Sequence, residues 1–169
     1  KTSWSNRMTD KVSYTRIKKI NSAEHLEKTV HIRGWIRSIR KSKKFAFFNL
    51  NDGSSQSNMQ IILDNTLENY EELTSLLIGS AVSIEGVVKE SHGKGQNIEM
   101  HATTGSVIAK TDESYPLQKK ATSLEHLREI AHLRVRTQTF GAITRLSHNI
   151  SFAIHQFFHE RGFYHVHTP

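Results

Sequence analysis

Cysteine is absent from these 169 residues. Its absence excludes a disulfide framework, a thiolate-ligated zinc or iron–sulfur centre and a cysteine nucleophile, and it fits a reducing compartment. Long apolar runs are missing as well. Nothing approaches the roughly 20 residues a membrane-spanning helix needs, and no basic-then-apolar leader resembles a secretory signal. The chain therefore reads as neither membrane-spanning nor secreted. Hydrophobic residues are scarce at 36%. An average globular chain has roughly 45–50% when glycine is counted, so one or two small cores are expected and not a large one. No self-similarity at solenoid periods is present. There is no Gly-x-x-x-x-Gly-Lys-Ser/Thr loop, no Gly-x-Gly-x-x-Gly fingerprint and no evident Ser–His–acid set, so no catalytic residues are expected in this chain. Because it opens on Lys1 and stops at Pro169 after a strand-like run, it is expected to be a piece of something longer, with Met8 as a natural start.

What the first half lacks most is acid. No Asp or Glu lies between Glu27 and Asp52, while Arg33, Arg37, Arg40, Lys41, Lys43 and Lys44 fall within that gap. The formal net charge of +7, from 23 Lys and Arg against 16 Asp and Glu, calls for a polyanionic partner. A local field of this kind attracts phosphates and does so in a salt-dependent way. Taken alone, such a run is equally a solvated surface.

The apolar pattern around the run alternates. Residues 29–42 read as a strand with Val30, Ile32 and Ile36 on one face and Gly34 marking a bulge or bend. Residues 44–51 read as a second strand, with Ala46, Phe48 and Leu50 one way and Phe45, Phe47 and Asn49 the other. A turn at 51–55 leads to a third strand at 58–64, in which Met59, Ile61 and Leu63 share a face. Asn65 and Thr66 offer an N-cap for a helix through Leu67, Tyr70, Leu73, Leu76 and Leu77, with Gly79 as its C-cap. Two more strands follow, carrying Val82, Ile84 and Val88, then Ile98, Met100 and Ala102, on either side of the flexible run 91–96. Three strands, a helix and two strands is the order of the OB-fold, a five-stranded barrel whose open sheet face binds oligonucleotides. An SH3-like barrel is the alternative, although that fold lacks the helix after the third strand.

If Phe48 is inside, Phe47 stands on the open face beside the cations. An exposed aromatic there can stack on a base, for roughly 1–3 kcal/mol per base. The alternative is that Phe47 packs under a loop or a terminal helix.

A polar segment with Pro116, residues 110–121, reads as an interdomain linker. Thr122 and Glu125 then suggest a capping box for a short helix ending near Leu133. A longer helix at about 140–161 carries Ile143, Leu146, Ile150, Ile154, Phe157 and Phe158 at three- and four-residue steps, ends at Gly162, and precedes a strand at 163–167. So wide a stripe on so short a piece needs a cover, either a dimer partner or further chain. Seven of the eleven histidines lie between His126 and His167. His155 and His159, with His165 and His167 nearby, have helical ligand spacing. No Asp or Cys accompanies them and Glu160 is misplaced for a His-Glu-x-x-His motif, so no metal site is expected.

Three stretches of this sequence resemble the class IIb aminoacyl-tRNA synthetases, and within that class the branch specific for asparagine. They are Val30 to Arg37 running into Phe45 to Ser54, the segment His132 to Thr137 continued by Thr139 to Ala142, and Phe157 to Phe163 running to Thr168 and Pro169. The first looks like the anticodon-binding OB domain shared by the aspartyl, asparaginyl and lysyl enzymes. The second favours the asparaginyl branch. The third is similar to class II motif 1, a helix and strand closed by a proline, which in that family forms the dimer interface.

The resemblance implies an all-β OB barrel at residues 1–110, with 1–13 disordered or foreign to the natural protein, a linker at 111–121, and at 122–169 the start of a class II α+β catalytic domain. Phe47 matches the family's stacking aromatic, Arg40 its loop arginine, Gln60 the third-strand glutamine that reads the central uridine, and Glu99 a last-strand acidic base contact. Arg33 and Arg37 are phosphate-type contacts, and Phe157, Phe158 and Pro169 belong to the homodimer interface. The implied partner is the asparagine-specific tRNA. The implied parent activity is ATP- and Mg2+-dependent attachment of asparagine to that tRNA, in the cytoplasm or an organelle matrix. The positions of motifs 2 and 3, which serve ATP, magnesium and the adenylate, fall outside this sequence, so the fragment is expected to bind neither and to be inactive alone. An aspartyl or lysyl enzyme, an OB module binding single strands without sequence preference, and a purely structural dimerisation piece are the rival readings.

Overall fold

The computed structural model describes residues 13–91, 93, 95–120 and 122–169. The expectations for residues 1–12, Met8 among them, lie outside these. The chain divides into two compact units, with the boundary between Lys119 and Lys120.

In the first unit a 3-10 turn at Ile17–Lys19 and a one-turn helix, α1 (Ser22–His25), precede five strands. These are β1 (Thr29–Lys41), β2 (Phe45–Asn51), β3 (Met59–Asp64), β4 (Ala81–Glu90) and β5 (Ile98–Ala109), with helix α2 (Tyr70–Thr74) between β3 and β4. They close into a barrel in the order β1-β2-β3-β5-β4. All neighbours are antiparallel except β3 and β5, which run parallel where Ile61 faces Met100. This is the OB-fold that the element order predicts.

Alternation decides the core. On β2, Ala46, Phe48 and Leu50 are fully buried, as are Ile32 and Ile36 of β1, Ile61 and Leu63 of β3, Val82, Ile84 and Val88 of β4, and Met100 of β5. Leu73 and Leu76 bring the α2 region into the same core. That helix is shorter than its apolar spacing suggests. The Asp64 carboxylate accepts from the Thr66 amide, forming a turn where Asn65 and Thr66 were expected to cap, and the helix starts after Asn69 with no side-chain cap.

Two glycines act differently from the sequence reading. The bulge of β1 lies between Ile36 and Ser38 rather than at Gly34. Gly34 instead stands where the strand passes from β4 to β2, and a Cβ there would lie 2.7 Å from the Asn51 carbonyl oxygen. Gly79, at φ +92, does not cap α2. It turns the chain into β4, donating to the Ile36 carbonyl at 2.8 Å, and a Cβ on it would strike the Tyr115 ring at 2.6 Å. Tyr115 belongs to the segment expected to be a linker. The start of that segment is held to the barrel: the Thr111 amide donates to Ser80 Oγ at 3.1 Å, its hydroxyl donates to the Ile78 carbonyl at 2.9 Å, and Lys110 pairs with Glu72 at 3.0 Å.

The second unit holds α3 (Leu124–Glu129), α4 (Ala131–Arg134) and α5 (Gln138–His159). Ser123, not Thr122, caps α3 by accepting from the His126 amide, and Thr137 caps α5 by accepting from the Phe140 amide. Beyond α5 the Gly162 amide donates to the His159 carbonyl and the Phe163 amide to the Phe158 carbonyl, with Gly162 at φ +81. This is a Schellman closure, completed by edge-to-face contact of the Phe158 and Phe163 rings at 5.5 Å between centroids. The strand expected at 163–167 is not formed. A strand needs a hydrogen-bonded neighbour, and none pairs with this segment among the described residues.

Candidate nucleic-acid interface

The bulge at Arg37 determines what the outer face of the barrel carries. Before it, even-numbered residues of β1 point inward, Val30, Ile32 and Ile36 among them. After it Ile39 faces Phe48 and packs on the core, so Ser38 and Arg40 turn outward. Two rows of outward side chains then cross the sheet. One runs Arg40, Phe47, Ile62 and His101 through successive cross-strand pairs. The other runs Ser38, Asn49 and Gln60 and continues to Glu99 through a hydrogen bond.

In the first row Phe47 is half-buried, and the guanidinium carbon of Arg40 lies 5.7 Å from its ring centroid, at the outer limit of a cation–π contact. Lys41, Lys43 and Lys44, all exposed, stand in and beside the adjoining β1–β2 loop. A carboxylate stands near them in the ladder, that of Asp64, opposite Phe45. Backbone and side-chain hydrogen bonds from Thr66 hold its carboxyl below the usual range, with Lys44 adding a smaller push the same way. It is therefore ionised at neutral pH and offsets one of the loop's cations.

In the second row Asn49 donates to Ser38 Oγ at 2.9 Å. Gln60 donates through Nε2 to Glu99 Oε2 at 3.2 Å, Ser91 donates to the same oxygen at 2.9 Å, and His101 Nε2 lies 3.3 Å from Oε1. Glu99 is only 8% exposed. Where this row meets the loops, a cleft of about 680 Å³ opens beside Asn49, lined among others by Lys18, Asn58, Gln96 and Asn97. One wall is the N-terminal turn, pinned to the β2–β3 loop by the Ile17 amide on Asp52 Oδ2 at 2.9 Å and the Lys18 amide on Ser54 Oγ at 3.1 Å.

Of the residues singled out from sequence, Arg40, Phe47, Gln60 and Glu99 thus come together on one face. Arg33 and Arg37 do not join the two rows. Arg33 lies on the half of β1 paired with β4, its guanidinium 3.4 Å from the Tyr14 ring centroid, and Arg37 is the half-buried bulge residue. Sequence reading placed Asn49 outward beside Phe47 without giving it a role, and it missed Ser38, Ile62, Ser91 and His101 as members of the face. Alternation alone marks Asn49 and Ile62 as outward, but the pairing of β5 with β3 that brings in His101 carries no local signal. In the second unit Phe157 and Phe158 are exposed at 50% and 47%, within a stripe of exposed Ile143, Leu146, Ile150 and Ile154, and Pro169 is exposed as well. The His155 and His165 rings meet edge to face at 4.7 Å. Among the described residues no three metal-ligating side chains come together, and no helix is long and apolar enough to cross a membrane.

A closed five-stranded barrel presenting an aromatic, cations and amides on one sheet face is the architecture of an oligonucleotide binder. Residues 30–108 match the family of OB-fold nucleic acid binding domains, and the barrel belongs to it. Over nearly its whole length the chain is similar in sequence to part of the asparagine–tRNA ligases. It is 49% identical over 156 residues to that of Desulfotalea psychrophila, covering 91% of this chain and 35% of the relative. It is 46% identical over 162 residues to that of Bacteroides fragilis, covering 95% and 34%. In fold it matches the asparaginyl-tRNA synthetase of Pyrococcus horikoshii, solved with asparaginyl-adenylate, at a TM-score of 0.82 and 23% identity over 94% of this chain and 37% of that one. The chain spans about a third of the length of the curated relatives it matches.

Proposed function

We propose that this chain is the tRNA-recognising part of an asparagine–tRNA ligase, and that the outer face of its barrel reads the anticodon. The observation that carries the reading is the row Arg40–Phe47, an aromatic ring beside a guanidinium at the head of a lysine-rich loop. A base stacks on Phe47, phosphates on either side meet Arg40, Lys41, Lys43 and Lys44, and Gln60 in the next row offers its amide to a base edge. The asparaginyl assignment rests on the sequence relatives, since an OB fold alone does not define a ligand. The parent reaction is activation of asparagine with ATP and transfer of the asparaginyl group to the tRNA. What the residues described here contribute is selection of the tRNA.

The test is binding of RNA hairpins carrying the asparagine anticodon loop, or that loop with its central uridine replaced, across a range of salt. The asparagine loop is expected to bind tighter at every salt concentration. Single-strand contacts lose about 0.7 log units of affinity per log unit of salt for each phosphate neutralised, so Lys41→Ala/Lys43→Ala/Lys44→Ala should flatten the slope by about 2 if all three meet phosphates. Equal affinity for every loop would return the face to a sequence-blind polyanion surface.

The stripe on α5 supports a second part of the reading, that this helix pairs two copies of the chain. Six large apolar side chains are about half exposed along it, more than a solvated helix carries without a cover. Phe157→Asp is expected to shift the chain from dimer to monomer in sedimentation velocity. A wild type that sediments as a monomer at tens of micromolar contradicts the pairing.

A further inference from the structure

The cations of the β1–β2 loop enclose a hydroxyl. Ser42 has Arg40 and Lys41 before it and Lys43 and Lys44 after it. Its amide donates to the Phe45 carbonyl at 2.8 Å, which carries the β1–β2 ladder one pair beyond Lys41 and Ala46. Alternation then gives Ser42 the parity of Ser38 and Arg40, so its hydroxyl stands on the outer face, two residues along the strand from Arg40. The residue is exposed, and its Oγ has no hydrogen-bond partner among the described residues. An unengaged hydroxyl therefore projects from the hairpin tip into the most basic part of the face.

A serine flanked by cations suits the substrate cleft of a kinase lined with acidic side chains, since charge pattern is one of the ways kinases choose substrates. The tip can also be reached. Beyond the Ser42–Phe45 bond the loop is tied by the Asn65 amide on the Lys44 carbonyl at 3.2 Å, and exposed tips held by so few bonds open at small cost. A phosphate placed there brings a charge of about −1.5 to −2 at neutral pH and three strong acceptors. Arg40 is the nearest cation of the same parity. Its guanidinium carbon lies 5.7 Å from the Phe47 ring centroid, a loose contact that a charge-assisted, two-pronged bond to phosphate outcompetes.

Resting on the anticodon reading above, we infer that Ser42 is a phosphorylation site, whose phosphate draws Arg40 off Phe47 and closes the face to RNA. In the modifying step the Ser42 hydroxyl oxygen attacks the γ-phosphorus of ATP held by a serine kinase. The bond from that phosphorus to the ADP oxygen breaks, ADP leaves, and the hydroxyl proton passes to the base of the kinase; nothing is oxidised or reduced. The covalent phosphate then occupies, within the chain, the position that an RNA phosphate takes beside Arg40. The partner is a kinase that reads basic residues on both sides of its serine.

The experiment treats the full 169-residue chain with MgATP and the catalytic domain of a protein kinase C, an enzyme of that preference. A phosphate is expected on the peptide holding Ser42 by mass spectrometry, and that label should be missing from Ser42→Ala. No label on that peptide overturns the site. RNA binding is measured on the chain with phosphoserine incorporated at position 42 during translation. At physiological salt it should bind the asparagine anticodon hairpin about tenfold or more weakly than the unmodified chain, and its salt slope should be shallower by about 1.4, two contacts at about 0.7 each. Ser42→Ala should bind as the wild type does, because its hydroxyl has no partner to lose. With Arg40→Ala in place the phosphate should weaken binding by about threefold or less, since the group it captures is gone. Equal affinity with and without the phosphate overturns the switch and leaves the anticodon reading standing. A phosphate penalty as large in Arg40→Ala as in the wild type overturns the capture of Arg40. A wild type that binds every loop alike overturns the anticodon reading instead, and the change in that common affinity on phosphorylation still decides the switch.

Discussion

Phe48→Ala is expected to lower the free energy of unfolding by about 3–5 kcal/mol, the range for truncating a large aromatic in a closed core. Phe48 is fully buried and is the largest of the side chains buried to that degree. It faces Ile39 on one side and Ile61 on the other across the ladders of β1 and β3. A barrel cannot collapse onto the space the ring leaves, because its strands are tied on both edges and their spacing is set by backbone hydrogen bonds. The cavity cost therefore adds in full to the lost transfer energy. Domains of this kind have about 5–15 kcal/mol in hand, so the variant should sit at the margin of folding. Urea unfolding followed by far-ultraviolet circular dichroism measures the effect, and a midpoint shift with unchanged slope places it in the native state. A loss below about 1 kcal/mol would mean that the core repacks around the gap and is not the rigid closed barrel described.

Phe47→Ala, one residue earlier, is expected to do the opposite. The ring points outward and is only half-buried, so the barrel should lose less than about 1 kcal/mol of stability. RNA affinity should fall by about 5- to 150-fold, the equivalent of one lost base–aromatic stack. Phe47→Tyr keeps the π face and should bind nearly as the wild type does. Fluorescence anisotropy with a labelled anticodon hairpin gives the constants, and the two alanine variants measured together form a double dissociation between fold and site. If Phe47→Ala binds as tightly as the wild type, the ring is a cover for its neighbours and the stacking site lies elsewhere.

The strands and the inward set were legible in the sequence because alternation is a local property. On β2 Ala46, Phe48 and Leu50 share one parity while Asn49 and Asn51 fall on the other, so the first three could be assigned inward without knowing any partner strand. The stacking candidate followed from the same parity. The helix between β3 and β4 was legible as an element and not in its length, since the turn at Asp64 competes for the residues that would have been its first turn. The segment at 163–167 misled for the converse reason. Its composition suits a strand, but the pairing that would make it one is not local, and within this chain Phe163 folds back on Phe158 instead.

The recognition face shows the division most sharply. Alternation was enough to single out Phe47, the resemblance to the synthetases added Arg40, Gln60 and Glu99 one by one, and the acid-free run from 28 to 51 marked the region as a candidate phosphate surface. Their assembly was a different matter. Unbroken alternation along β1 would send Arg40 to the same side as Ile32 and Ile36; one extra residue at position 37 reverses the phase and sets Arg40 beside Phe47. In the same way, β5 reaches β3 across a parallel pairing that skips β4 in sequence, and that pairing brings Glu99 to Gln60. Where a bulge falls and which strands become neighbours depend on closing the barrel around one packed core, a condition on the whole chain that no local stretch of it encodes.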